Sequence, residues 1–207
     1  EDGMLTAGRI DERTEFLAST DERFRPVFVA NAPDGTLYVA DMYRGIIQEG
    51  NWTQEGSYLR TKILQYQMDD IVENGRIWRI TYEGMARSKE KPRMFDESSA
   101  QLVKHLEHPN GWWRDKAQQL MVLRQDRSIT GDLVKMLQSS PNELARIHAL
   151  WTLEGLSALN TGMVRKLLED PNPHIRIQAL RASETLYKYG EKSLEDDYKK
   201  MVLDKEP

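Results

Sequence analysis

One motif, written three times, limits this chain more than any other feature. Pro109-Asn110-x-x-x-Arg114-x-x-Ala117 returns as Pro141-Asn142-x-x-x-Arg146-x-x-Ala149 and again as Pro171-Asn172-x-x-x-Arg176-x-x-Ala179. The copies start 32 and then 30 residues apart, and a fixed period of roughly 20–50 residues marks a stacked repeat. Each copy reads as helix, turn, helix. The first helices carry Leu102/Val103/Leu106, Leu133/Val134/Leu137 and Val164/Leu167/Leu168. A Pro-Asn turn stops each of them. Asn110, Asn142 and Asn172 are placed to cap the second helices, and Pro173 suits a first helical position. In register, Trp113, Ala145 and Ile175 align, as do Ala117, Ala149 and Ala179, whose small side chains allow neighbouring helices to approach closely. Ser98-Ser99-Ala100-Gln101 matches a capping box and opens the first of these helices. A further first helix begins near Ser193, with Leu194, Tyr198, Met201 and Val202 as an apolar stripe at helical spacing. With no second helix to cover it before Pro207, the stripe is expected to be bare, as at the end of a shortened stack.

Everything before residue ~95 follows a different rhythm. Residues 24–48 read FRPVFVANAPDGTLYVADMYRGIIQ. Val27-Phe28-Val29 and Leu37-Tyr38-Val39-Ala40 are strand candidates on either side of the turn Pro33-Asp34-Gly35. Gly75–Tyr82 alternates with period two and predicts a third strand with both faces partly covered, and Tyr58–Met68 predicts a short helix. So few strands suggest one propeller blade and its connection, since a propeller closes only by radial repetition of blades. The charged, Pro-containing stretch 86–97, ARSKEKPRMFDE, reads as a linker. The fold class expected is therefore α+β by segments. Residues 1–85 form an N-terminal β segment at the end of a β-propeller, and residues 98–207 form an all-α solenoid of about three repeats and the start of a fourth.

Composition sets limits. Charged residues are 30% and hydrophobic residues 39% of the 207, a folded, globular balance. A net charge of −4, with Lys and Arg dispersed, argues against a nucleic-acid partner. The absence of cysteine rules out disulfides, thiolate metal sites, a Cys nucleophile and a C-x-x-C-H haem attachment. No apolar run approaches the ~20 residues of a membrane span. The start, Glu1-Asp2-Gly3-Met4, has neither a basic n-region nor an apolar h-region, so the chain reads as an excised portion rather than one opening on a signal peptide.

The repeat half, typified by Asp170-Pro171-Asn172-Pro173-His174-Ile175-Arg176-Ile177-Gln178-Ala179, resembles HEAT repeats. The stretch 24–48, "YLRTKIL" (58–64), "GRIWRI" (75–80) and "HPNGWWRDKAQQL" (108–120) together resemble the end of a large bacterial family of membrane-bound dehydrogenases. Its members are similar to soluble glucose/sorbosone dehydrogenases. They carry a β-propeller associated with pyrroloquinoline quinone, and many continue into HEAT repeats and a c-type cytochrome domain. The resemblance covers most of residues 24–190. It implies a periplasmic or cell-envelope parent that uses pyrroloquinoline quinone and Ca²⁺ to oxidise a sugar or alcohol. The partners it implies are the rest of that parent or a redox protein. No cofactor is expected in this segment itself, and the haem motif is not in it.

Candidate site residues follow the second strand. Asp41, Tyr43 and Arg44 can sit at a propeller mouth, with Arg44 holding a quinone carboxylate or an acidic substrate through a bidentate pair. Alternatively, they are an Asp/Arg set that orders a loop. Arg76 and Arg79 flank Trp78 and can either contact a cofactor or pack by cation–π attraction, which is the expectation. A cofactor contribution from this chain would come from Asp41, Tyr43, Arg44 and Arg76. Asp34-Gly35 reads as a hairpin turn rather than a metal loop. No metal site is expected. His105 and His108 share a helix face without a third ligand, and Asp69, Asp70 and Glu73 match no calcium loop. His148 is placed to line a concave face. Arg114, Arg146 and Arg176 can form a basic ladder for an acidic partner, but pairing each with an acid or a carbonyl of the next repeat explains their recurrence more simply. Trp112-Trp113 reads as core or interdomain packing, and Asn51-Trp52-Thr53 as a chance glycosylation match. No Ser/His/Asp set, phosphate loop or zinc motif stands out. Three functions remain: part of a propeller-type oxidoreductase, a non-enzymatic protein- or glycan-binding module of the envelope, and a structural spacer.

Overall fold

The computed structural model describes residue 8 and residues 12–47, 50, 53–70 and 72–204. The chain divides between Glu90 and Lys91, inside the charged stretch 86–97, into a β unit and a helical unit.

In the β unit, β1 (Pro26–Asn31), β2 (Leu37–Asp41) and β3 (Arg76–Ile80) form an antiparallel sheet in the order β1-β2-β3. The register pairs Val29 with Val39 and Val39 with Trp78, and a bulge at Val27 shifts the start of β1. The β1–β2 turn forms as its residues dictate. Gly35 takes φ 88°, and Asp34 Oδ1 accepts the Thr36 amide at 3.1 Å and its hydroxyl at 2.7 Å. Between β2 and β3 lies α1 (Tyr58–Gln65), capped by Ser57, whose hydroxyl accepts the Arg60 amide. It stops before Met68 because Gln67 turns to φ 50° and the Met68 amide bonds back to the Ile63 carbonyl at 2.9 Å. The third strand differs from its expectation. It is shorter than Gly75–Tyr82 and exposed on both faces, because it is an edge strand that no other described element covers.

The helical unit alternates first and second helices. α2 (Ser99–His105), α4 (Thr130–Ser139) and α6 (Thr161–Leu168) are first helices, while α3 (Gly111–Arg124), α5 (Glu143–Gly155) and α7 (Pro173–Lys188) are second helices. Caps fix their starts. Ser98 and Gln101 make a capping box, and Asn110, Asn142 and Asn172 accept the amides of Trp112, Ala145 and His174. The second helices pack on one another in sequence, α3 on α5 and α5 on α7. Ala117, Ala149 and Ala179, one on each of these helices, are all fully buried, so a larger side chain there would have to displace close-packed neighbours.

Two boundaries depart from the sequence reading. The second half of 86–97 is built into the helical unit. Met94 is buried in its core, and the Arg124 guanidinium holds the carbonyls of Glu97 (2.6 Å), Phe95 (3.0 Å) and Met94 (3.2 Å). At the other end, α8 (Glu195–Met201) is not the bare stripe expected. Leu194 is buried, Tyr198 and Met201 pack on the core, and Val202 remains exposed. Its shortness lets α8 lie against α6 and the end of α7 without a second helix of its own.

Candidate functional site

The residues after β2 come together, but around the backbone rather than around a vacancy. Asp41 is buried, and both its oxygens are occupied. Oδ1 accepts the amides of Arg25 and Tyr43, each at 2.8 Å, and Oδ2 accepts the Trp78 indole N–H at 3.1 Å. Burial alone would raise its pKa. The Arg25 amide, the Trp78 indole, the Tyr43 amide and the Arg76 charge outweigh burial and hold it below the ordinary carboxylate value. Arg76 lies over the Tyr43 ring, 3.4 Å from its centroid, and 5.7 Å from that of Trp78. Tyr43 itself adopts φ 44°, a conformation costly for an aromatic residue, which the Asp41 hydrogen bond helps to fix. Arg44 stands apart, exposed and without a hydrogen bond or ion pair among the described residues.

Thus Asp41, Tyr43 and Arg76 are brought together and Arg44 is not. A quinone bearing several carboxylates would need cations aimed into a shared pocket. Here Asp41 already has three donors, and Arg76 is stacked between two rings. The four residues do not fit that cofactor in this arrangement. Asp41, Tyr43 and Arg76 order the end of the sheet. Arg79 likewise packs on Tyr38 rather than on Trp78, at 5.2 Å from the ring centroid.

Sequence reasoning missed two residues with structural work in the same unit. Arg25 Nη2 donates to the Gly45 carbonyl at 3.2 Å, and Arg23 Nη2 donates to the Tyr66 carbonyl at 2.8 Å. Gly45 is required there, because a Cβ would come within 2.5 Å of the Met68 carbonyl oxygen and Cβ. Asp21, another residue without a motif, sits below its usual pKa through the Arg23 amide and then the Tyr43 hydroxyl. Short-range pattern carries no signal for the Arg23–Tyr66, Arg25–Gly45 and Gly45–Met68 contacts, since these partners lie far along the chain, whereas Asp21 and the Arg23 amide are two residues apart.

In the helical unit the recurrent arginines bind within the stack. Arg146 pairs with Asp170 at the next turn and bonds the Leu137 carbonyl at 2.8 Å. Arg176 Nε donates to Asp204 at 2.7 Å and its Nη1 to the Asp170 carbonyl at 2.9 Å. Arg114 bonds the His108 and Pro109 carbonyls of its own turn, at 2.6 and 2.8 Å, just as Arg176 bonds those of Asp170 and Pro171, and Ser140 stands where Asp170 meets Arg146 one repeat later. Burial would raise the Asp170 pKa, but the Arg146 hydrogen bond, the Asn172 amide and the charges of Arg146 and Arg176 bring it below its ordinary value.

The histidines pack or pair singly. His105 bonds Glu97 at 2.7 Å and stacks on Trp113, and His108 also lies against Trp113 while accepting the Asn110 amide. Trp113 is core and Trp112 half-buried. His174 bonds Glu143 at 2.8 Å. His148 places Nδ1 2.7 Å from Gln118 Oε1 on the neighbouring helix, and its burial lowers its pKa. Among the described residues no three His, Asp or Glu side chains are arranged to hold a metal ion, Asp69, Asp70 and Glu73 included. The Asn51-Trp52-Thr53 match lies partly outside the described residues, and Glu1–Met4 lie wholly outside them. No described helix is long and apolar enough to cross a membrane.

Comparison with known proteins adds one finding. Residues 1–84 match the model of a domain of unknown function, DUF7133, which covers the β unit and leaves the helical stack unmatched. No curated protein and no solved structure matches the chain significantly.

Proposed function

We propose that this chain is the structural and interaction portion of a propeller-type, quinone-dependent sugar or alcohol dehydrogenase of the bacterial envelope. On this reading the β unit supplies the last blade and the helical unit is a HEAT-like spacer toward a redox partner. The observation that carries it is the sheet's two apolar faces. On one face Phe28 and Ile77 flank Ala40 and are 67% and 75% exposed; on the other, Val29 and Trp78 flank Val39 and are 61% and 42% exposed. An antiparallel sheet that stands alone covers one face and leaves the other polar. A blade, packed between neighbouring sheets, is apolar on both. The internal commitment of Asp41 and Arg76 supports the second half of the reading, that the oxidative chemistry belongs to other parts of the parent.

The test supplies pyrroloquinoline quinone, Ca²⁺ and an artificial electron acceptor to this chain and to the full-length parent, across a panel of aldoses and polyols. The expected result is turnover by the parent and none by the chain. Turnover by the chain alone would overturn the proposal. Failure of the intact, cofactor-loaded parent on every substrate would leave the protein- or glycan-binding module as the better reading.

A further inference from the structure

The three recurrent arginines share one arrangement, and the first of them uses only half of it. Arg176 is the complete case. Its Nη1 donates to the carbonyls six and five residues before it, Asp170 at 2.9 Å and Pro171 at 3.3 Å, while Nε and Nη2 hold the Asp204 carboxylate at 2.7 and 2.5 Å. Arg146 meets an acid as well. Its Nη1 and Nη2 both donate to Asp170, and its Nε donates to the Leu137 carbonyl at 2.8 Å. Each acid follows the next first helix, Asp170 after α6 and Asp204 after α8.

Arg114 reproduces the first half. Its Nη1 donates to the carbonyls six and five residues before it, His108 at 2.6 Å and Pro109 at 2.8 Å. The second half has no counterpart. Nε is enclosed and has no acceptor, and Nη2 makes no hydrogen bond among the described residues. After the next first helix, α4, the chain offers Ser140 in place of an acid. The Ser140 hydroxyl is engaged elsewhere. It donates to Glu107 Oε1 at 2.9 Å and accepts the Asn142 amide at 3.2 Å. Glu107 is thereby turned to Ser140, and among the described residues no acid pairs with Arg114.

A buried donor without an acceptor is costly and uncommon in folded proteins. The Nε–Nη2 edge of a guanidinium matches the two oxygens of a carboxylate. Because the guanidinium is planar, the two Nη1 bonds also fix the direction of that edge. Arg114 is half-buried, which leaves the edge within reach from one side. We infer that the Nε–Nη2 edge of Arg114 is a binding site for the carboxylate of a small external ligand. The ligand completes at the first joint of the stack the ion pair that Asp170 and Asp204 complete at the next two. The site lies at a joint between two described repeats, where α3 packs on α5, rather than at an open end.

Acetate, which carries the aspartate carboxylate on a single methyl, is the probe. The Arg114 Nε–Hε cross-peak of the whole ¹⁵N-labelled chain is assigned by its loss in Arg114→Lys. It is then followed as sodium acetate replaces sodium chloride at constant ionic strength. The expected result is a saturable shift of this peak, with the Arg146 and Arg176 peaks unmoved. Ser140→Asp, shown by circular dichroism to retain its helices, supplies the missing acid. Its Arg114 peak should start near the acetate-bound position and no longer respond. Glu107→Gln should leave the acetate-free position where it was. No saturable shift in the parent, or an undiminished acetate response in Ser140→Asp, overturns the inference. An upfield displacement of the acetate-free peak by Glu107→Gln also overturns it, by making Glu107 the occupant. So does a parent peak that already lies at the Ser140→Asp position without acetate, by assigning the edge to an acid of this chain.

Discussion

The helical stack and the β unit solve the same problem with different materials. The stack buries whole apolar side chains at a constant period, so that Leu133, Leu150, Leu153, Val164 and Ile175 are all inaccessible to solvent. The β unit buries few. Ala32, Val39 and Ile63 are its buried hydrophobic residues among those described, joined by Thr36 and Asp41. In place of a core it uses charged and polar side chains tied to backbone, Arg23 to Tyr66, Arg25 to Gly45 and Asp41 to Arg25 over long spans of chain, and Asp41 to Tyr43 close by. Apolar burial is non-directional and tolerates small adjustments, whereas a buried hydrogen-bonded tie fails when one partner is lost. The two units should therefore respond to different substitutions.

The largest effect belongs to the stack. Ala149→Asp places an unpaired carboxylate where α5 meets its neighbours and should cost on the order of 3–5 kcal/mol. The denaturant midpoint of the helical signal at 222 nm reads it, and an unchanged midpoint would mean that the alanine row is not the packing seam. The β unit should be broken instead at Asp41. Asp41→Ala leaves two backbone amides and the Trp78 indole without their acceptor, an expected loss on the order of 2–4 kcal/mol. Hydrogen exchange should accelerate across residues 25–43 and 76–80 while the helical amides keep their protection. Acid tests the same tie in the native chain. The folded pKa of Asp41 is lowered, so its stabilisation is complete above the unfolded carboxylate value of about 4 and is lost as pH falls through the lowered folded value. Equal acceleration in both units would erase the distinction drawn between them.

What could be read in the sequence follows from the same contrast. The alanine row, the Asn caps and the role of Arg146 and Arg176 recur at one spacing, and recurrence is visible without coordinates, while the capping box at Ser98 is legible because its residues are contiguous. The strands and the Asp34-Gly35 turn were legible because their determinants lie within a few residues of each other. Asp41 was singled out for its position after β2, yet its partners Arg25 and Trp78 lie 16 and 37 residues away, and no local pattern distinguishes a tie of that range from a ligand contact. Gly45 gave no signal, since its requirement comes from the approach of Met68. α8 was misread as bare because Leu194 and Tyr198 find their cover on α6 and α7 rather than on a hairpin partner.

Two glycines sharpen the comparison at smaller energies. At Gly45 an added Cβ would meet the Met68 backbone, 2.5 Å from its carbonyl oxygen, and backbone cannot rotate away. Gly45→Ala should destabilise the β unit by about 1–3 kcal/mol. At Gly155 the obstacle is a Val122 methyl at 2.7 Å, which a rotamer change can move. There the gain in helix propensity, about 1 kcal/mol, opposes the crowding, and Gly155→Ala should fall within about 1 kcal/mol of the parent. Thermal midpoints of the two variants decide this. A larger loss at Gly155 than at Gly45 would show that the stack is the less forgiving unit.

The smallest effect is a pH dependence within the stack, at the half-buried imidazole of His148. His148 faces Gln118 from α5 to α3, with Asp115 at 3.9 Å from Nε2 and Arg114 near enough to oppose protonation. Burial is the main cause of its lowered pKa, with Arg114 acting in the same direction and Asp115 against it. The unfolded chain therefore takes up a proton at this site at a higher pH than the folded chain does. The stabilisation is fully present above the unfolded value of about 6.5 and declines as pH falls from there through the lowered folded value. His148→Gln keeps an amide within reach of Gln118 and removes the titration. Urea midpoints at pH 7.5 and pH 5.5 should then differ less in the variant than in the parent, even though His105, His108 and His174 remain in both. An identical decline in the two chains would place the pH sensitivity elsewhere and leave the α3–α5 contact as indifferent to protons as the apolar core around it.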